Sequence, residues 1–128
     1  MQKIEFKNGL LYTDLELSHE GKTIIVKDVI VDTGASHTII IPEYLEEMNV
    51  GFSEDDTIVR ASGYGGTIGY SVRKLIDKVS CKDICVDNIR IDFGEIDPEE
   101  RVNGLLGLDF LKSANIVIDL VDNTMVKK

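Results

Sequence analysis

Val29-Ile30-Val31-Asp32-Thr33-Gly34-Ala35-Ser36 sets a carboxylate at the end of an apolar run and follows it at once with a glycine. Two readings of Asp32 arise. An aspartate that starts a turn accepts a hydrogen bond from the backbone two residues on, and Asp-Thr-Gly then needs no further explanation. Alternatively, the carboxylate is held at a strand end for acid–base chemistry. Gly34 would let a substrate backbone approach closely. Thr33 offers a hydroxyl that can brace a neighbour, and Val29 to Val31 would make the surroundings apolar. Hydrolysing an amide without a metal or nucleophile takes two groups, one to accept a proton from water and one to polarise the carbonyl. The chain carries a single Asp-Thr-Gly. A symmetric dimer would supply the second by placing both copies of Asp32 beside the twofold axis.

The glycines at 63, 65, 66 and 69 invite a phosphate-binding reading, which fails on spacing. G-x-G-x-x-G from Gly63 would need glycine at Ile68, and no G-K-[ST] follows. Tyr70-Ser71-Val72 is β-like, whereas a phosphate cradle needs a helix N-terminus. A hairpin tipped by Gly65-Gly66 fits better, either as a plain surface turn or as a lid. Cys81 and Cys85 are two ligands short of a metal site, with His19 and His37 far off in sequence. They read as small, semi-buried side chains, with a disulfide left open.

Taken in order, Val31-Asp32-Thr33-Gly34-Ala35-Ser36, the hairpin around Gly65-Gly66, and Gly104-Leu105-Leu106-Gly107-Leu108-Asp109-Phe110-Leu111 resemble the retropepsin-like aspartic proteases. Through Ile116-Val117-Ile118-Asp119-Leu120 the chain is similar to the retroviral-protease-like domains of cellular and bacterial proteins. The resemblance runs from about Leu10 to Leu120. It implies a mostly β, closed acid-protease barrel with one or two short helices and one half-site per chain, working as a homodimer on extended peptide without metal or organic cofactor.

By that resemblance Asp32 is catalytic, Thr33 braces the two active-site loops across the axis, and Gly34 gives backbone contacts to substrate, with Ala35 and Ser36 completing the loop. Leu105, Leu106 and Gly107 would pack beneath it. Ser62 to Ser71 would be the flap, with Gly63, Tyr64, Gly65, Gly66, Thr67 and Ile68 facing substrate. Two departures stand out. Viral members often follow the late glycine with Arg-Asn or Arg-Asp, where this chain has Leu108-Asp109. They also interleave their termini, whereas residues 122–128 here are polar and short. A non-catalytic peptide-binding or dimerisation module on the same fold, or a barrel fragment of a larger assembly, are the other readings.

The elements that must position these residues are mostly strands. Leu11, Thr13, Leu15 and Leu17 alternate with polar neighbours, as a half-buried strand does. A turn over Ser18 to Lys22 leads into Thr23 to Val31, the returning arm of a hairpin. His37 to Ile41 is another β-branched run. Pro42 opens a short helix with Leu45 and Met48 on one face, closed by Gly51. Ser53-Glu54-Asp55-Asp56 reads as a solvated loop. Strands follow over Thr57 to Ala61, Tyr70 to Cys81 and Ile84 to Phe93, turning at Lys82-Asp83. After an acidic loop from Glu95 to Arg101 come a strand to Leu106, a helix over Leu108 to Ser113, and a last strand over Asn115 to Leu120. Ile116, Ile118 and Leu120 should share one face of it. An apolar strand twice runs into a turn and then a helix, a faint echo of two halves around a pseudo-twofold axis.

The 128 residues suit one domain. A net charge of -9 argues against a nucleic-acid or anionic-membrane partner. No apolar run approaches the ~20 residues of a membrane span. The first residues lack the apolar core of a signal peptide, so the expected location is the cytoplasm.

Overall fold

The computed structural model describes residues 2–62, 68–96 and 102–128. In chain order the elements are β1 (Gln2–Lys3), β2 (Glu5–Lys7), β3 (Leu10–His19), β4 (Lys22–Val31), β5 (Ile39–Ile40), α1 (Glu43–Met48), β6 (Thr57–Ser62), β7 (Ile68–Cys81), β8 (Ile84–Gly94), β9 (Gly104–Leu106), α2 (Leu108–Ser113), β10 (Ile116–Asp119) and β11 (Thr124–Lys127).

The alternation in β3 does what its period demands. Thr13, Leu15, Leu17 and His19 point inward, while Asp14 and Glu16 face water. Glu20-Gly21 makes the two-residue turn into β4, both residues at positive φ, which suits the twist of a hairpin. β4 alternates at first, burying Ile24 and Val26, and then buries Val29, Ile30 and Val31 in succession. The change of pattern marks where the strand enters the interior. There β4 gains a parallel neighbour, β9, in the register Val29↔Gly104, Ile30↔Leu105 and Val31↔Leu106.

Following the pairings β3–β4–β9–β5–β8–β7 and back to β3 closes a six-stranded barrel. The closing contact joins Glu16–Ser18 of β3 to Lys78–Ser80 of β7. β2 and β6 extend this sheet at its margins, and a separate three-stranded sheet is ordered β1-β11-β10. Leu15, Leu17, Val26, Ile76, Ile91, Leu106 and Phe110 fill the core. The expected mostly β, closed barrel with one or two short helices is what the chain adopts, with two helices among the described residues.

Several local expectations are corrected. α1 ends at Met48, with Asn49 taking the left-handed cap conformation that Gly51 was expected to provide. The run Ser53 to Asp56 is not wholly solvated. Asp56 folds inward, accepting from Ser53 N and Oγ at 2.9 and 3.0 Å and from Lys74 Nζ at 2.8 Å. The Asp56 and Lys74 side chains are only 6% and 4% exposed. The last expected strand stops at Asp119, so Leu120 leaves the face of Ile116 and Ile118 and stands 68% exposed in a turn. Residues 124–127, read as a polar tail, form β11 and pair with both β10 and β1.

Cys81 pairs with Ile84, and Ser80 with Cys85, across the β7–β8 turn. Cross-strand partners share a face and successive residues alternate, so the two thiols lie on opposite faces of the hairpin and cannot form a bridge with each other. No helix among the described residues is long and apolar enough to cross a membrane.

Candidate active site

β4 delivers Asp32 and β9 anchors it. Asp32 N donates to Leu106 O at 2.9 Å, extending the β4–β9 ladder by one bond into the loop. The carboxylate is half-buried, and its Oδ1 accepts Gly34 N–H at 2.9 Å. This is the bond expected of a turn starter, and it also fixes the direction of the carboxylate. A Cβ on Gly34 would stand 3.2 Å from that oxygen, so glycine here lets the carboxylate lie against the turn. Ala35 N closes the turn onto Asp32 O at 3.2 Å. Thr33, Gly34 and Ser36 are exposed and Ala35 is half-buried.

Leu105, Leu106 and Gly107 lie directly under this loop. Leu106 is fully buried. A Cβ on Gly107 would come within 2.7 Å of His37 C and 2.8 Å of the Ala35 and His37 carbonyl oxygens. All are backbone atoms that cannot swing aside, so only glycine lets the two segments cross at this distance. Leu108 N then donates to Ala35 O at 2.8 Å.

Two residues that were given no role in the sequence reading complete the support. Asp109, in the first turn of α2, accepts Thr38 N–H on both oxygens at 3.0 Å and the Thr38 hydroxyl on Oδ1 at 2.7 Å. The Thr38 oxygen in turn accepts Gly107 N–H at 3.0 Å. Thr38 O accepts Asp92 N–H at 3.0 Å. Asp92 holds Arg73 bidentately, Nε to Oδ1 at 2.7 Å and Nη2 to Oδ2 at 3.1 Å, and this pairing lifts the guanidinium further above its usual value. The signal available in sequence was Asp109 itself, two residues after the glycine where viral members also carry Asn or Asp, the departure being confined to Leu108.

The expected hairpin forms at its arms. β6 and β7 pair down to Ser62↔Ile68. Gly63, Tyr64, Gly65, Gly66 and Thr67, expected to face substrate, lie outside the described residues.

A strand-end aspartate in an Asp-Thr-Gly turn, pinned from below by a Leu-Leu-Gly strand inside a closed barrel, defines a retropepsin-like fold. Residues 19–113 match the family model described as gag-polyprotein putative aspartyl protease. The chain belongs to that family. Among solved structures it is similar to a retropepsin-like aspartic protease from Rickettsia conorii, with TM-score 0.66 and 18% identity over 98% of this chain and 97% of that one. It is also similar to the retroviral protease-like domain of Ddi1 from Leishmania major, with TM-score 0.64 and 20% identity over 93% and 88%. At these identities the likeness is one of fold. No curated protein matches the chain.

Proposed function

We propose that the protein is an aspartic endopeptidase whose catalytic pair is Asp32 from each of two copies, and that residues 1–128 form one such protease domain. The observation that carries this reading is the Asp32 carboxylate, held toward Gly34 N–H at the end of β4, with one such turn per chain. A pure binding module has little need of a carboxylate so placed.

In the dimer the two carboxylates share one proton, because like charges this close resist ionising together. The sharing is a known property of aspartic protease dyads in general and is carried over from them. The pair titrates with two macroscopic pKa values that belong to both copies. The ionised carboxylate takes a proton from a water lying between them. That water attacks the scissile carbonyl carbon, while the protonated carboxyl hydrogen-bonds the carbonyl oxygen. Collapse of the tetrahedral intermediate breaks the C–N bond, and the proton passes to the leaving amine.

Substrate binds as an added strand, with backbone bonds giving affinity and alternate side chains giving specificity. Thr33 braces the two loops across the axis, Gly34 and the flap around Tyr64, Thr67 and Ile68 contact substrate, and Ala35, Ser36, Leu105, Leu106 and Gly107 keep Asp32 in place. Activity is highest in mildly acidic solution, where the dyad holds one proton.

The test is cleavage of an unstructured protein by wild type and by Asp32→Asn, at high protein concentration from acidic to neutral pH. Cleavage by the wild type alone supports the reading. Equal cleavage by both points to a contaminant. No cleavage by a protein shown to be dimeric favours a peptide-binding module on the same fold.

A further inference from the structure

A groove of about 410 Å³ lies between α1 and β7, and it shares no lining residue with the Asp32 turn. That volume falls in the range of ligand sites. Leu45, Val50 and Phe52 supply its apolar wall, with Glu46 beside them. Phe52 is 78% exposed, a large ring left in water at the side of an apolar hollow.

The polar part of the lining is the buried pair Asp56 and Lys74. An ammonium carries three N–H donors. Lys74 Nζ spends one on Asp56 Oδ2 at 2.8 Å and makes no other hydrogen bond among the described residues. On the carboxylate, Oδ2 also accepts Ser53 N–H, while Oδ1 accepts only the Ser53 hydroxyl, at 3.0 Å. Buried polar groups ordinarily fill their hydrogen-bonding capacity. Here spare donors and a spare acceptor stand side by side on two groups whose charges cancel.

That pairing selects a ligand class. A carboxylate would answer Lys74 but meet the like charges of Asp56 and Glu46. An amine would answer Asp56 but meet Lys74. An uncharged amide answers both, its carbonyl accepting from Lys74 Nζ and its N–H donating to Asp56 Oδ1. The peptide group is that amide, and an aliphatic or aromatic side chain next to it would lie against Leu45, Val50 and Phe52. We propose that this groove binds an uncharged, apolar peptide segment of another protein, with one peptide group set on the Asp56–Lys74 pair. The site is independent of the protease reading, since none of its residues supports Asp32.

Two-dimensional ¹H–¹⁵N NMR on the full chain tests this with N-methyl-3-phenylpropanamide, which carries one amide on an apolar body. The amide should shift the backbone signals of Val50, Phe52, Asp56 and Lys74, and the blocked peptide acetyl-Ala-Leu-Ala-amide should shift the same set. Methyl 3-phenylpropanoate keeps the acceptor and lacks the N–H, so it should bind about tenfold more weakly. The carboxylate 3-phenylpropanoate should be weaker still. Phe52→Asp, at a side chain already in water, should keep the fold and weaken the amide about tenfold. Val121→Ser, at a 90% exposed side chain outside the groove, should bind as wild type does. Asp56→Leu with Lys74→Met exchanges the buried pair for apolar groups, a change that folds tolerate, and should bind amide and ester alike.

No shift at these four residues up to about 10 mM amide leaves the groove to water and overturns the proposal. So does equal binding of amide and ester by the wild type, or shifts confined to Gly34 and Ala35. Binding of the small amide without the peptide overturns the peptide as occupant. Cleavage by the wild type and its loss in Asp32→Asn are read separately, so either result can fail while the other stands.

Discussion

The Thr38 hydroxyl and the Asp109 carboxylate meet at 2.7 Å across 71 positions of sequence, and this contact locks α2 to the segment that follows the Asp32 turn. Thr38 is fully buried and its oxygen works twice, donating to Asp109 and accepting from Gly107 N–H. Thr38→Val keeps the shape, leaves Gly107 N–H without its acceptor and takes one donor from Asp109, which keeps its bonds from the backbone N–H groups of residues 38 and 110. A buried group left without its hydrogen bond costs about 1–3 kcal/mol. Urea unfolding should show a loss in that range, with cleavage reduced further than the folded fraction explains because Asp32 shares the loosened loop. Asp109→Asn, which keeps an acceptor, should fall between wild type and Asp109→Ala. An Asp109→Ala variant as stable as wild type would remove the clamp from the account.

Gly107 and Gly51 make a matched pair of glycines. A Cβ at Gly107 meets three backbone atoms inside 3.0 Å, whereas at Gly51 it meets nothing within 4 Å. Gly107→Ala should therefore lose about 3 kcal/mol or fail to fold, because two backbone segments must part to admit a methyl group. Gly51→Ala should lie within about 0.5 kcal/mol of wild type. Thermal melts of both variants decide it, and equal melting points would mean the β9–loop crossing is looser than its distances imply.

The barrel was legible because its signals are local. The period-2 alternation of β3, the β-branched density of β4 and the Glu20-Gly21 and Lys82-Asp83 turns each sit within a few residues. Asp32 was legible because its turn chemistry is packed into three letters. The Thr38–Asp109 clamp and the Asp56–Lys74 pair were not legible, since their partners are 71 and 18 positions apart and nothing near either residue announces the other. Asp56 sits in a run of four polar residues that is ordinarily solvated, and the buried Lys74 across from it reverses that expectation. β11 was missed because Asp122-Asn123 begins the segment with turn formers. It becomes a strand only because β1 and β10 are both there to pair with it.

The two thiols should behave as strangers. Burial pushes the Cys81 thiol up to about 12, leaving almost no thiolate at neutral pH. Cys85 is half-buried on the opposite face. A maleimide or iodoacetamide time course read by mass spectrometry should label Cys85 first and Cys81 only on unfolding. Oxidation of the folded monomer should produce no internal disulfide. Labelling of both at one rate would show that the β7–β8 end of the barrel opens more readily than its packing suggests.

The Asp56–Lys74 pair ties the start of β6 to β7, the two arms that carry the expected flap. Burial alone would push the Asp56 carboxyl up. The Lys74 ammonium and the Ser53 N–H and hydroxyl outweigh it and hold the group below its usual value of 3.8. A folded-state value below the unfolded one means the unfolded chain takes up protons first as pH falls. The stabilisation is therefore complete above about pH 3.8 and disappears as pH drops through the lower, folded value. Asp56→Asn leaves a buried ammonium without a counter-charge and should cost about 3 kcal/mol at neutral pH. The gap between wild type and variant should narrow in acid, once wild-type Asp56 is itself protonated. Chemical denaturation from neutral pH down to strong acid reads that convergence directly. A constant gap would mean the cost lies in packing rather than charge.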